Sequence, residues 1–96
     1  MEFEWDEVKA ETNLQKHGVS FAEAATTFGD PLAVTFLDLK HSDDEDRFLT
    51  IGQSSDGRAL ILCHTDRDAK TRIISARLAS RAERKGYEDG NYPSNR

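Results

Sequence analysis

The chain has 96 residues, 36% of them hydrophobic and 32% charged, which suffices for one modest core and a single domain. No apolar run exceeds the five residues 59–63, and the acidic start lacks the apolar region of a secretory signal, which argues against membrane and secreted proteins. The single cysteine, Cys63, cannot form an internal disulfide. We therefore expect a cytoplasmic protein with one domain over residues 1–90 and a flexible tail over residues 91–96.

Charge is unevenly distributed along the chain. Residues 67–85, the basic segment, hold seven basic and two acidic residues, a net +5 within a chain whose formal charge is −5. The other 77 residues therefore carry −10. A localised basic segment in an acidic body indicates an anion site, although the solvated surface of a last strand and helix explains the same pattern.

The amino-terminal part of the chain predicts one short strand and two helices. Residues 3–5 alternate with acids as a strand does, and a helix then runs from about Asp6, its N-cap, to His17, with Gly18 as the C-cap. Ser20 and Glu23 have the spacing of a capping box, which opens a second short helix.

Four segments rich in β-forming residues follow, at 33–37, 47–53, 59–65 and 71–78. Their short connections predict an antiparallel meander, because a parallel return needs a crossover of about a dozen residues. Ser80 and Glu83 form a second capping box, which opens a terminal helix. The predicted fold is α+β, with two N-terminal helices packed on one face of the meander, a C-terminal helix, and an open face for a site.

The best candidate for proton transfer is His64. Alternation puts it on the face of Leu60 and Leu62, and the charged residues that follow predict a ring near solvent, where an imidazole exchanges a proton near neutral pH. A surface histidine without a role is the alternative. His17 beside the helix end is explained by the helix dipole.

Arginines dominate the candidate phosphate contacts. Alternation puts Arg77 on one face with Ile73 and Ser75 in a strand that otherwise looks buried, so it needs either a local carboxylate or an external anion. Arg81 and Arg84, at the start of the last helix, favour a phosphate ligand. On the first helix Lys9, Asn13 and Lys16 form a polar stripe that either extends this surface or is an ordinary solvated face.

Metal ligation is not predicted. The acids at 43–46 are consecutive in a loop and diverge, which is typical of a solvated turn, and the His and Cys spacing does not suggest zinc. We expect neither a metal nor a cofactor.

Two stretches carry a more specific pattern. The first comprises Phe3-Glu4-Trp5-Asp6, Lys9, Asn13 and the run Lys-His-Gly-Val-Ser-Phe at 16–21; the second comprises Arg-Ile-Ile-Ser-Ala-Arg at 72–77 with Glu83, Arg84 and Tyr87. Together they resemble the BrnT family over nearly the whole chain. This resemblance implies a bacterial type II toxin of RelE-like fold, an endoribonuclease that arrests translation. It also implies a BrnA-like antitoxin of the ribbon-helix-helix type as partner, DNA contact only through that antitoxin, and no membrane contact.

The resemblance to RelE-like enzymes further implies a metal-independent attack of a ribose 2′-hydroxyl on the adjacent phosphodiester. We expect the catalytic residues to be His64, Arg72, Arg77, Arg81 and Tyr87. We expect RNA to be bound by Lys9, Asn13, Lys16, Lys70 and Arg84. The acidic net charge is low for an RNA-cleaving protein. The alternative is a non-catalytic module whose basic segment binds an acidic protein partner. A metal-dependent nuclease that uses the acidic loop is a third, remote one.

Overall fold

The structure, a computed structural model, describes residues 1–90; the tail predicted for residues 91–96 lies outside them. The α+β class is confirmed: three α-helices and five strands follow one another along these residues. Their bounds are β1 Phe3–Glu4, α1 Glu7–His17, α2 Phe21–Thr26, β2 Val34–Leu37, β3 Phe48–Gln53, β4 Ala59–Arg67, β5 Lys70–Leu78 and α3 Arg81–Asp89, with short 3-10 turns at Thr27–Gly29 and Leu39–His41. Within the described part of the chain, no helix is long and apolar enough to cross a membrane.

The five strands form one mixed sheet in the order β1-β5-β4-β3-β2. Strands β2 to β5 pair as the predicted antiparallel meander. The sequence assigned no neighbour to the short first strand; in the structure β1 pairs in parallel with β5 at the edge of the sheet, with Phe3 opposite Thr71 and Glu4 opposite Arg72. Two α-helices and three strands lie between β1 and β5 in the chain, so the long connection that a parallel pair needs is available.

Side-chain caps set the helix boundaries as the sequence predicts. Asp6 accepts a hydrogen bond from the Lys9 amide, and Gly18, with φ of 69°, ends α1 in the left-handed conformation. The capping box at Ser80 is complete. At Ser20 only half of it forms, because the Glu23 carboxylate turns away to accept hydrogen bonds elsewhere.

Glu23 instead ties the helical layer to the β3–β4 hairpin. Its carboxylate accepts hydrogen bonds from the Arg58 guanidinium at 2.5 and 2.9 Å and from the Ser54 hydroxyl at 2.7 Å. The same guanidinium donates to the Gly18 carbonyl oxygen at 3.0 Å, so it also fixes the end of α1. Bonding to Arg58 holds the pKa of Glu23 below its usual value, although burial acts in the opposite direction.

The hydrophobic core lies between the helices and one face of the sheet. It consists of Val19, Phe21 and Ala24 from the helical layer and Leu60, Leu62, Ile73 and Ala76 from β4 and β5. Ile73 and Ala76 share this face because the β4–β5 register shifts between Cys63 and His64 and leaves Ile74 without a partner. The predicted alternation, which put Ile73 with Arg77, is therefore wrong on the carboxyl side of this bulge.

Asn13 fixes α1 along the open edge of β5. Its side-chain amide nitrogen donates to the carbonyl oxygens of Val19 and Ala76, at 2.9 and 2.8 Å, and its oxygen accepts from the Ala76 amide at 3.1 Å. Because β1 is only two residues long, these bonds satisfy backbone groups that a longer neighbouring strand would pair. Asn13 is 7% exposed, so the expectation that it belongs to a solvated polar stripe is wrong, while the RNA contact expected of it stays a prediction.

Candidate active site

The face of the sheet opposite the helical core carries a cavity of about 290 Å³. Cys63 pairs with both Leu49 and Ser75 across the strands, and Ile61 pairs with Arg77, so these side chains share one face. The sheet supplies most of the lining, and the end of α1 adds one residue. The polar members are His17, Cys63, Ser75 and Arg77.

Arg77 pairs with a local carboxylate, which is one of the two partners considered for it from the sequence. Its Nη1 and Nη2 donate to the Glu83 carboxylate at 2.8 and 2.9 Å, and Nη1 also reaches the Leu78 carbonyl oxygen at 3.2 Å. The hydrogen bond from Arg77 lowers the pKa of Glu83 to about 2, although burial acts against it. The guanidinium is thus held in a fixed orientation beside the cavity while 46% of its side chain stays exposed.

A second basic cavity adjoins the end of β5. Its volume is about 520 Å³, and its cationic lining comes from Arg81, Arg84 and Lys85 on α3. Arg84 and Lys85 pair with acids one turn further on, at 3.2 and 3.1 Å. Arg81 has no carboxylate within 4.0 Å among residues 1–90, which leaves its guanidinium available to an external anion.

The structure does not bring Arg72 to either cavity. It lies at the opposite end of β5, about 16 Å of strand from Arg77, and pairs with Glu4 of β1 at 3.3 Å. Its positive charge, after the amide and charge of Lys9, helps to lower the pKa of Asp6 at the start of α1. Arg72, Lys9 and the exposed Lys70 are therefore grouped at this end of the sheet.

The expectation of a solvent-facing ring on His64 is wrong. The residue is 5% exposed, with its ring centroid 4.9 Å from that of Phe28 and 5.8 Å from that of Phe48. Its Nε2 shares a hydrogen bond of 2.7 Å with the Thr50 hydroxyl, whereas the buried Nδ1 has no partner within the described residues. Burial lowers the pKa of His64 to about 4, so the ring is neutral at physiological pH.

Tyr87 joins α3 to the loop before β2. Its hydroxyl donates to the Asp30 carboxylate, which also accepts the Gln53 amide at 2.8 Å. Burial and this hydrogen bond raise the pKa of Tyr87 to about 12. Burial alone would raise the pKa of Asp30, but the bonds from Tyr87, Gln53 and the Leu32 amide outweigh it, so the pKa is lowered. Tyr87 lines neither basic cavity, and its contacts explain it as a tie between elements.

The acidic loop forms a separate hollow of about 190 Å³, lined by His41, Asp43, Asp44, Glu45 and Arg47. Nowhere in residues 1–90 do three or more His, Cys, Asp or Glu side chains converge as metal ligands. Cys63, in the cavity of about 290 Å³ that Arg77 also lines, is half-buried, and burial raises the pKa of its thiol although Arg47 acts against this. The thiol therefore stays protonated near neutral pH.

His17 lines the cavity, but the sequence assigned it no chemistry. A usable signal was present, because His17 follows Asn13 by four residues and both therefore lie on one side of α1. Once Asn13 is bonded to β5, His17 must also face this strand.

Comparisons with known proteins agree with this architecture. A family model described as the ribonuclease toxin BrnT of type II toxin–antitoxin systems matches residues 5–83. The crystal structure of the Brucella abortus ribonuclease toxin BrnT, at 1.1 Å resolution, is similar, with 27% identity and a TM-score of 0.65 over 84% of this chain and 99% of that one. A search of curated proteins found no match.

The family model and the similar crystal structure define the class as ribonuclease toxins of type II toxin–antitoxin systems. Within that class, the chain belongs to the BrnT family. Membership in a type II system implies an antitoxin partner.

Proposed function

We propose that this protein is a metal-independent endoribonuclease of RelE-like fold that cleaves RNA and arrests translation in the bacterial cytoplasm. The observation that carries the proposal is the presence of two arginine-lined cavities near the carboxyl end of β5. Arg77 lines the first cavity, and Arg81, Arg84 and Lys85, four to eight residues further along the chain, line the second.

Arginines suit this chemistry because the transition state of phosphodiester cleavage carries its charge on the nonbridging oxygens. A guanidinium presents several donors in a plane and stays charged, so it stabilises that charge by hydrogen bonds whose geometry is set in advance. Arg77 is oriented by Glu83 and remains nearly half exposed, as a phosphate contact requires. In this proposal Arg81 binds the phosphate next to the one that Arg77 contacts.

The other predicted residues take different roles. Arg72, Lys70 and Lys9, at the far end of β5, contact flanking phosphates and contribute to affinity rather than to the reaction. Lys16, exposed next to the cavity residue His17, binds RNA close to the scissile bond. His64, Tyr87 and Asn13 act on stability in this proposal, because Asn13 and Tyr87 are hydrogen-bonded within the protein and His64 is buried with its Nε2 bonded to Thr50.

The partner in this proposal is a BrnA-like antitoxin of the ribbon-helix-helix type, through which alone the complex contacts DNA. A non-catalytic module that binds an acidic protein would share the basic segment, but no described contact favours it. The acidic net charge of the chain does not oppose RNA binding locally, since the cations are concentrated on β5 and α3.

Cleavage by the purified protein tests the function directly. Incubation with RNA in excess EDTA should give fragments ending in 2′,3′-cyclic phosphate and 5′-hydroxyl groups, and induced expression in a bacterium should stop growth with loss of RNA integrity. Intact RNA together with normal growth would support the binding module. Loss of activity in EDTA, or on changing Asp43, Asp44 and Asp46 together to Asn, would point to a metal-dependent reaction instead.

A further inference from the structure

We propose that His17 is the catalytic base of this ribonuclease, accepting the proton of the ribose 2′-hydroxyl in the cavity that it shares with Arg77. The inference rests on the proposed function. It supplies a catalytic base, since His64, the base candidate predicted from the sequence, is buried. A cleavage site needs a group that exchanges protons near neutral pH, and imidazole is the side chain that does so without help.

Of the three histidines, only His17 stands where it can do this. His64 is buried between aromatic rings, and its Nε2 is bonded to the buried Thr50 hydroxyl. His41 lies in the 3-10 turn before the acidic loop and bonds to Asp38 at 2.9 Å. His17 is half-buried in the lining of the same cavity as Arg77, and the described residues give its ring no hydrogen-bond partner.

The position of His17 is fixed from several sides. Asn13, one turn earlier on α1, is bonded to both backbone groups of Ala76, the residue before Arg77. Gly18, the next residue, receives the guanidinium of Arg58 on its carbonyl oxygen. The end of α1 therefore cannot shift along β5 without breaking these bonds, which is the preorganisation that proton transfer needs.

Cations surround the position of His17. Arg77 lines the same cavity from β5, Arg58 bonds to the carbonyl oxygen of the next residue, and Lys16 precedes it on α1, so the phosphate of a substrate is attracted to this cavity. The two carboxylates behind these cations, Glu83 and Glu23, are each bonded to an arginine already. Cys63, the remaining titratable group in the lining, is a neutral thiol.

The reaction balances with the groups named. The 2′-oxygen forms a bond to phosphorus as its proton passes to His17, and the bond from phosphorus to the 5′-oxygen breaks. Arg77 binds a nonbridging oxygen, and water supplies a proton to the leaving 5′-oxygen. The products are a 2′,3′-cyclic phosphate and a 5′-hydroxyl, and no redox change occurs.

Two substitutions separate proton transfer from charge. His17→Arg keeps a cation at the end of α1 and beside the phosphate but cannot act as a base near neutral pH, whereas His17→Gln removes both properties. We expect both to lower the rate of cleavage at least a hundredfold with the thermal midpoint little changed, and His17→Arg to keep RNA affinity. The matched control is His41→Gln, an exposed histidine outside the cavity, which should cleave like the wild type.

The pH profile of cleavage supplies a readout that a structural role would not move. The wild-type rate should fall as the pH is lowered within the range 5 to 8 in which imidazoles titrate, and the residual rate of His17→Arg should lack this dependence. Should both variants unfold, carbethoxylation of His17 in the His41→Gln chain, followed by mass spectrometry, must track inactivation.

Full activity in His17→Arg, or after complete modification of His17, would overturn the assignment while leaving the ribonuclease intact. Absence of cleavage by the wild-type chain would instead overturn the proposed function, and the assignment with it.

Discussion

Arg77 and Glu83 join the last strand to the last helix through two parallel hydrogen bonds, of 2.8 Å from Nη1 to Oε1 and 2.9 Å from Nη2 to Oε2. Glu83 also accepts the Ser80 amide at 2.8 Å, so one carboxylate orients the arginine and caps α3. The position of α3 is therefore linked to the geometry of the cavity beside β5.

Glu83→Gln should lower the free energy of unfolding at pH 7 by about 1 kcal/mol, since a half-exposed ion pair and part of a cap are lost. The folded pKa of about 2 is below the usual 4.5, so this stabilisation is present above pH 4.5 and disappears as the pH falls through 2. Urea unfolding of both proteins between pH 7 and 2 measures it. A difference that stays constant over this range would contradict the assignment.

Arg77→Ala tests phosphate contact against a purely structural role. We expect cleavage to fall at least tenfold, about 1.4 kcal/mol of barrier, with a thermal midpoint lowered by only a few degrees. Arg67→Ala is the matched control, because Arg67 has the same exposure of 46% and pairs with Glu45 at 3.2 Å, but lies at the far end of the β4–β5 hairpin. Equal losses in the two variants would mean that only net charge matters, and global unfolding of Arg77→Ala would make its role structural.

Features of the fold that depend on nearby residues could be predicted from the sequence, and those that depend on distant residues could not. The caps at Asp6, Ser20 and Ser80 depend on residues three positions away, and short turns define the meander, so both could be read from the sequence. The parallel pairing of β1 and the bulge at Ile74 depend on residues far apart in the chain. Long-range contacts also explain why the sequence favoured His64 as the proton-transfer residue, whereas we propose His17.

His64 illustrates the effect of long-range contacts. Local sequence gave no indication that Phe28 and Phe48 would enclose its ring, whereas Asn13 turns His17 towards β5. Arg77 does pair with a local carboxylate, which was one of the two interpretations, but the burial expected for it is wrong, since 46% of its side chain is exposed.

His64→Asn tests the neutral state of the buried ring. The folded pKa of about 4 lies below the usual 6.5, so the unfolded chain binds the additional proton between these values and wild-type stability falls as the pH drops from 6.5 to 4. The loss should reach ~3 kcal/mol. In His64→Asn this part of the pH dependence should vanish, although the variant is less stable at pH 7. Calorimetry at several pH values between 7 and 4 gives both curves, and superimposable slopes would show that His64 does not titrate as described.

Asn13→Ala distinguishes the two roles considered for this residue. Truncation leaves the amide and carbonyl groups of Ala76 and the carbonyl of Val19 without partners, which should cost about 2–4 kcal/mol of unfolding free energy. Lys9→Ala, an exposed change on the same helix, should change stability by less than 0.5 kcal/mol but weaken RNA binding. Chemical denaturation and an RNA-binding titration separate them. A stable Asn13→Ala protein with weakened RNA binding would restore the stripe that the sequence suggested.

We expect the antitoxin to neutralise the toxin by covering the basic segment, residues 67–85. The cations of residues 67–85 are concentrated on β5 and α3, so an inhibitor that competes with RNA should cover this segment and contribute Asp or Glu to the contact. In the complex with the product of the adjacent reading frame, the amides of residues 67–85 should be protected from hydrogen exchange. Association should slow at higher salt, because the encounter of opposite charges is screened.

The structure also offers a rival surface, which makes the exchange experiment decisive. An apolar groove of about 350 Å³ between α1 and α2 is lined by Trp5, Leu14 and Phe21 and edged by Glu7 and Glu11. These acids repel RNA, so a partner bound there would carry basic residues and leave the cavities of β5 and α3 open. Protection confined to residues 6–28, with association that is equally salt-dependent but no change beyond Arg67, would show that inhibition is indirect.

Protection of both regions would mean that one antitoxin chain spans them. In that case Arg81→Glu should weaken the complex, whereas Glu11→Lys should weaken it only if the groove contributes binding energy. The competition model requires the Arg81→Glu effect, at least tenfold in Kd, whatever the groove contributes.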